Sequence, residues 1–199
     1  EARWGLNWLL GTRFGDGYRD GGIIVGIWTD NVIGTKDDME TKATNDPFDN
    51  FISSVAIALA VPYYTSIDPV FSDWCRKAAM KDYDFAVENM GRILNQKNET
   101  ELYSTATVAS MHLYQCTHEQ RYLENAVSYA KVIMECQQLE RRKDWSIALH
   151  GFFYESRNKR CPLTFFHRSN EELMIEGLCL LLKNAPGHPD SSKWMASCK

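Results

Sequence analysis

DPFDNFISSVAIALAV, residues 46–61, decides the fold. Asp46 is a good N-cap and Pro47 a good first-turn residue. The carboxylate can accept from free backbone N–H groups, and proline lacks the N–H that would go unpaired there. From Phe48 to Val61 nearly every residue is apolar, which predicts a helix buried on all sides, an inner helix, ending before Pro62. Asp68-Pro69 repeats the opening. Val70 to Leu94 then sets Arg76, Lys77, Lys81, Asp82, Glu88 and Arg92 beside an apolar stripe, the pattern of an amphipathic outer helix.

The alternation continues on both sides of this pair. Ser104 to Cys116 is poor in charge and reads as inner. Glu119 to Leu139 reads as outer, with Leu123, Val127, Val132 and Ile133 opposite Glu124, Lys131 and Glu135. Ser169 is the expected cap of an apolar helix through Leu182, with Glu172 at the capping-box position, and Asp190 or Ser191 opens a last helix. Arg3 to Leu10 forms a first one. About seven helices result, an all-α fold of antiparallel hairpins. Thr12 to Asp46 holds six of the twelve glycines and one strand-like run, Ile23 to Trp28, and is a long structured loop with room for a hairpin. Glu140 to Arg168 is a second long connection. Long links precede inner helices, except Asn95 to Tyr103, and short links follow them, so the long loops gather at one end, beside inner-helix N-termini whose free N–H groups favour polar or anionic ligands. Val55 to Leu59, Val108 to Met111 and Leu178 to Leu181 are then the expected core. Inner helices starting near 48, 104 and 169 do not repeat at the ~34-residue period of a tetratricopeptide solenoid. Uneven hairpins fit an (α/α) toroid.

At 199 residues the chain is one domain or one large piece of a bigger one. Lys plus Arg is 22 against 26 Asp plus Glu, a net charge of −4, the wrong sign for a nucleic-acid partner. The longest apolar run, Val55 to Val61, is far short of the ~20 residues that span a bilayer, so no membrane partner is expected. Cys75, Cys116, Cys136, Cys161, Cys179 and Cys198 contain no CxxC pair. Four of them, at 75, 116, 136 and 179, fall in apolar helical patterns, which predicts free buried thiols and no zinc site. Gly15-Asp-Gly17 lacks the third glycine of a dinucleotide loop and His118-Glu119 the second histidine of a zincin, so no cofactor is expected.

The long loops are aromatic. Trp28, Trp145 and Tyr154 stand among Asp30, Asp144, His150, Glu155, His167, Arg168 and Glu171, while the paired phenylalanines read as loop core. Flat rings mixed with hydrogen-bonding side chains suit sugars, whose C–H faces stack on rings while their hydroxyls need donors and acceptors. Glycoside hydrolysis needs two carboxyl groups roughly 5 to 5.5 Å apart for retention or 6.5 to 9.5 Å for inversion. The sequence offers several near the loops but does not pair them, so the catalytic residues are unassigned.

At these residues a family emerges. Glu1-Ala-Arg-Trp-Gly-Leu-Asn-Trp-Leu-Leu10 resembles the helix that follows the catalytic aspartate motif in family 9 glycoside hydrolases, the cellulase-like six-hairpin enzymes. Gly151-Phe-Phe-Tyr-Glu155, Phe166-His-Arg168, Glu171, His188-Pro-Asp190 and Trp194 are similar to family-9-like proteins of polysaccharide-degrading bacteria. The resemblance implies an (α/α)6 toroid, inversion at the anomeric carbon and a carbohydrate partner. It also implies a periplasmic or secreted bacterial setting, and substrate contact by His167-Arg168. The family's Asp-Ala-Gly-Asp water-activating segment and its acid glutamate have no counterpart here. The expectation is therefore a middle segment of the catalytic domain, an incomplete toroid over residues 1–199 that does not hydrolyse glycosides by itself. Trp28, Asp30, Trp145, Tyr154, His167, Arg168 and Glu171 would line part of its cleft. A non-catalytic helical module binding a protein partner is the alternative. Seven cations between Arg141 and Arg168 against only Asp144 and Glu155 add a basic patch that suits an acidic glycan if Arg157, Arg160 or Arg168 faces the cleft.

Overall fold

The computed structural model describes residues 2–12, 22–24, 32, 34–36, 39–41, 47–95, 97–164 and 172–199. Helix α1 is Ala2–Gly11. Strands β1 (Gly22–Ile24) and β2 (Met39–Thr41) pair antiparallel with Ile23 opposite Glu40, the hairpin for which the first loop has room. The other elements among the described residues are helices: α2 (Pro47–Tyr64), α3 (Pro69–Glu88), the one-turn α4 (Met90–Ile93), α5 (Glu99–Thr117), α6 (Gln120–Glu135), α7 (Leu173–Asn184) and α8 (Ser191–Ser197). The fold is all-α. Hairpins α2/α3, α5/α6 and α7/α8 stand side by side. Helices α2, α5 and α7 pack on one another as one layer, with α3, α6 and α8 as the second.

Local chemistry explains where the elements differ from expectation. Pro62 lies inside α2 rather than ending it, because in the last turn it removes only one backbone donor. The outer helix breaks at Asn89, whose Nδ2 donates to the Phe85 carbonyl at 2.8 Å while its backbone N–H is shared between Phe85 and Ala86. Helix α5 begins five residues before Ser104. Asn98 caps it by accepting from the Glu101 N–H at 2.7 Å, and Glu99 and Glu101 add negative charge to its first turn. Helix α7 starts at Leu173, so Glu172 stands at its cap and makes no side-chain cap bond; Ser169 lies outside the described residues.

The expected core is only partly right. Val108 to Met111 is buried throughout, but Leu59 is 53% exposed and Cys179 is also exposed. Helices α3 and α5 cover only part of α2, leaving Ile52, Leu59 and Tyr63 as an apolar stripe open to solvent. On α7 the buried line is Met174, Gly177, Leu178 and Leu181, which turns Cys179 outward. Cys75 and Cys136 are buried, and burial pushes the half-buried Cys116 thiol up to about 11. All six cysteines are free thiols.

The most buried helix, α5, is also the richest in hydroxyls, and it tolerates them by folding them back. Thr105, Thr107 and Ser110 donate to the carbonyls of Glu101, Tyr103 and Ala106 at 2.7–2.9 Å. Small side chains let α7 come close. A Cβ on Gly177 would lie 3.0 Å from Thr107 Cγ2, and the Thr107 rotamer is held by its hydroxyl bond. Gly177→Val is therefore expected to lower the unfolding free energy by about 3 kcal/mol in denaturant titration.

His112 is buried in the same interface. Its Nδ1 meets Gln115 Oε1 at 3.1 Å, while Nε2 has no hydrogen-bond partner and lies 3.9 Å from Glu176 Oε1. Burial holds the imidazole below its ordinary 6.5. Between that value and the lowered one the unfolded chain binds a proton that the folded chain refuses, so stability falls as pH drops below 6.5. In denaturant titrations between pH 7 and pH 5, His112→Gln should flatten that decline.

Candidate functional site

The candidate site is built on helix termini. Helix α6 ends at Glu135, and Cys136 to Leu163 folds into a small cross-bridged loop. Gln137 bridges Phe153 and Tyr154 bridges Pro162, both antiparallel. Gln138 N–H donates to Phe152 O at 2.9 Å, Tyr154 N–H to Cys136 O at 2.9 Å and Leu163 N–H to Phe153 O at 2.8 Å. Gly151, at φ +91°, makes the return that an L side chain would resist.

This loop is fixed to the start of α5. Thr100 donates its hydroxyl to Tyr154 O at 2.6 Å and its backbone N–H to Glu155 O at 3.1 Å. Arg157 grips Glu99 through its backbone N–H at 2.9 Å and its guanidinium at 2.7 Å, which holds the Glu99 carboxyl below its usual range. Phe153 packs with Ile133 of α6 and Met174 of α7. Lys97 Nζ, just before α5, lies 4.7 Å from the Phe48 ring centre at the start of α2. The N-terminal ends of α2, α5 and α7 therefore share one end of the protein with this loop.

Of the seven candidate residues, Trp28, Asp30, His167, Arg168 and Glu171 lie outside the described residues. Trp145 and Tyr154 are in the loop and joined through Phe152: Trp145 stacks on Phe152 at 6.0 Å and 26°, and Phe152 meets Tyr154 at 5.1 Å. Trp145 is half-buried, with the Arg142 guanidinium 5.4 Å from its ring centre. Asp144 holds that guanidinium by two bonds of 3.0 and 2.6 Å. Tyr154 is only 5% exposed, and its hydroxyl donates to Gln138 Oε1 at 3.3 Å. Its ring belongs to the loop's interior, so it orders Gln138.

Beside this aromatic row lies a cavity of about 550 Å³ lined by Gln137, Gln138, Glu140, Arg141, Arg142 and Lys159. A second, of about 460 Å³, adjoins it across Met134 and Leu139 and runs between α6 and α8. Gln137 is 2% exposed and donates Nε2 to Gly151 O at 3.0 Å and to Ser197 O at 2.9 Å, tying the loop to α8, while its Oε1 has no hydrogen-bond partner. Lys159, at φ +55°, donates Nζ to Gln137 O at 2.9 Å.

Of the cavity residues, Gln137 and Gln138 escape the sequence reading, because it carries the outer helix to Leu139 and buries both glutamines in a helical pattern. The visible signal was the Gln137-Gln138 pair directly after the last buried turn. Among the described residues no three His, Cys, Asp or Glu side chains gather as a metal site, and no helix is long and apolar enough to cross a membrane.

The described residues thus form layered helical hairpins with an aromatic and polar loop at one end. The chain belongs to glycosyl hydrolase family 9, whose family model matches residues 1–163. No curated protein matches it significantly. The match runs to the end of the loop just described and so takes in Trp145, Tyr154 and the whole wall of the first cavity. It makes the chain a glycoside hydrolase in general type, with carbohydrate as the substrate class.

Proposed function

We propose that this chain is a segment of the catalytic domain of an inverting glycoside hydrolase acting on a poly- or oligosaccharide, and that residues 1–199 form part of an (α/α)6 toroid. The observation that carries this reading is the half-buried Trp145 stacked on Phe152 beside a polar cavity, within the stretch that matches the family. Trp145 supplies the indole for sugar contact in this reading, and Phe152 and Arg142 pack against its ring. Trp28, Asp30, His167, Arg168 and Glu171 complete the cleft in this reading, with Tyr154 positioning Gln138. The test is titration of the chain with cellotetraose, followed by calorimetry. Trp145→Ala should weaken binding about tenfold, and failure of the unaltered chain to bind would overturn the reading.

A protein-binding module is favoured by one observation. Trp4 and Trp8 on α1 and Ile52, Leu59 and Tyr63 on α2 are all more than 40% exposed. Such a face also suits a neighbouring hairpin of a larger ring, which is why the toroid reading is preferred. Concentration-dependent self-association of the chain, abolished by Leu59→Glu and Tyr63→Glu together, would favour the module.

A further inference from the structure

The cavity at the end of α6 has a charge pattern that a neutral sugar does not use. Of the loop's cations, Arg157 is held by Glu99 at 2.7 Å and flanked by Glu135 at 3.7 Å, and Arg142 is taken up by Asp144. Arg157, expected to face a ligand, is thus engaged in holding the loop to α5. Arg160 is exposed and does not line the cavity, and Arg168 lies outside the described residues. Two other cations take their place. Arg141 lines the cavity and has no ion pair among the described residues. Lys159 lines it too and spends its ammonium on a neutral carbonyl, so its charge is unmatched. Glu140 is the one carboxylate of the wall.

The remaining polar groups suit a sugar. Gln137 and Gln138 place two amides in the wall; the Gln137 amide oxygen is buried without a hydrogen-bond partner, and Gln138 is held by Tyr154. Trp145 stands next to this wall through Arg142. A phosphate or a free carboxylate would use the cations and leave the amides and the ring idle. A neutral glycan would use the amides and the ring and leave two cations facing it without a counter-charge.

We propose that this cavity binds the carboxylate of a uronic-acid unit, so that the glycan recognised is acidic. Arg141 and Lys159 hold the carboxylate, and Glu140 on the same wall accepts from a ring hydroxyl. The inference rests on the reading of the chain as a carbohydrate-binding glycoside hydrolase.

The test is calorimetric titration of the chain with tetragalacturonate and with cellotetraose, each at low and high salt, for the unaltered protein, Arg141→Glu and Lys159→Met. Tetragalacturonate should bind the more tightly of the two and lose affinity as salt rises, since screening acts over ~8 to 10 Å. Each variant should weaken it by about tenfold, with cellotetraose unchanged. Because Arg141 is exposed, its variant should fold normally, with an unaltered thermal midpoint as the check. Equal affinity for the two sugars, or a uronate affinity indifferent to Arg141, would overturn the inference and leave the wider reading intact. Weakening of both sugars alike by Arg141→Glu would also overturn it. Binding of neither sugar would overturn both.

Discussion

Tyr83→Ala should remove about 4 kcal/mol of stability, close to the whole margin of a modest domain, and be read as a large drop in the denaturant midpoint. Four helices meet on this ring. It sits on α3, fully buried, edge-on to Phe51 of α2 at 5.6 Å and to Tyr122 of α6 at 5.2 Å. Its hydroxyl reaches Ser110 of α5 at 2.7 Å and accepts from Asn125 Nδ2 at 2.9 Å. Ser110 gives its own hydrogen to Ala106 O, so the Tyr83 O–H is the donor to Ser110. Burial raises the phenol above its ordinary range, so it stays neutral and keeps that hydrogen. Tyr83→Phe preserves the ring but leaves the Asn125 amide without this acceptor, for an expected loss of about 1.5 kcal/mol. If the phenylalanine variant were as damaging as the alanine one, the hydrogen bonds rather than the packing would join the hairpins.

What was legible in the sequence is what depends on local pattern. The Asp-Pro openings at 46 and 68 and the charge-poor run from Ser104 put the hairpins in order. Asp68 does cap α3, by accepting from the Phe71 N–H at 3.0 Å. Failures come where a distant partner decides. Leu59 looks like core because apolar composition cannot say which side of a helix meets a neighbour. Gln137 looks helical because the bridges that take it from α6 come from Phe153, in a segment with no strand pattern of its own. Of the site, composition alone marks Trp145 and Tyr154 as ligand contacts. Burial then separates them, because Tyr154 is held under the loop by Thr100 on its carbonyl and Gln138 on its hydroxyl. Likewise a run of cations does not reveal which are matched; Arg157 and Lys159 differ only in what folds against them.

Trp194 links the stability of the last hairpin to the shape of the site. It is fully buried on α8, stacked on His188 at 4.9 Å and 18°, in a cluster with Met111, Ala126, Leu178 and Leu181 from α5, α6 and α7. Helix α8 is only two turns long, too short to hold its shape unaided. Trp194→Ala should therefore cost about 4 kcal/mol, concentrated on the docking of α8. The consequence reaches the cavities: Gln137 would lose the Ser197 carbonyl that fixes its amide, and Lys193, Ala196 and Ser197 would leave the wall of the second cavity. Trp194→Phe keeps a ring in the cluster and removes an indole N–H that has no acceptor, so it should cost about 1 kcal/mol and leave α8 docked. Hydrogen exchange separates local from global effects. In Trp194→Ala, amides of α8 and of residues 136–138 should exchange faster than those of α5. Uniform acceleration throughout the chain would show instead that α8 folds and unfolds as one unit with the inner layer.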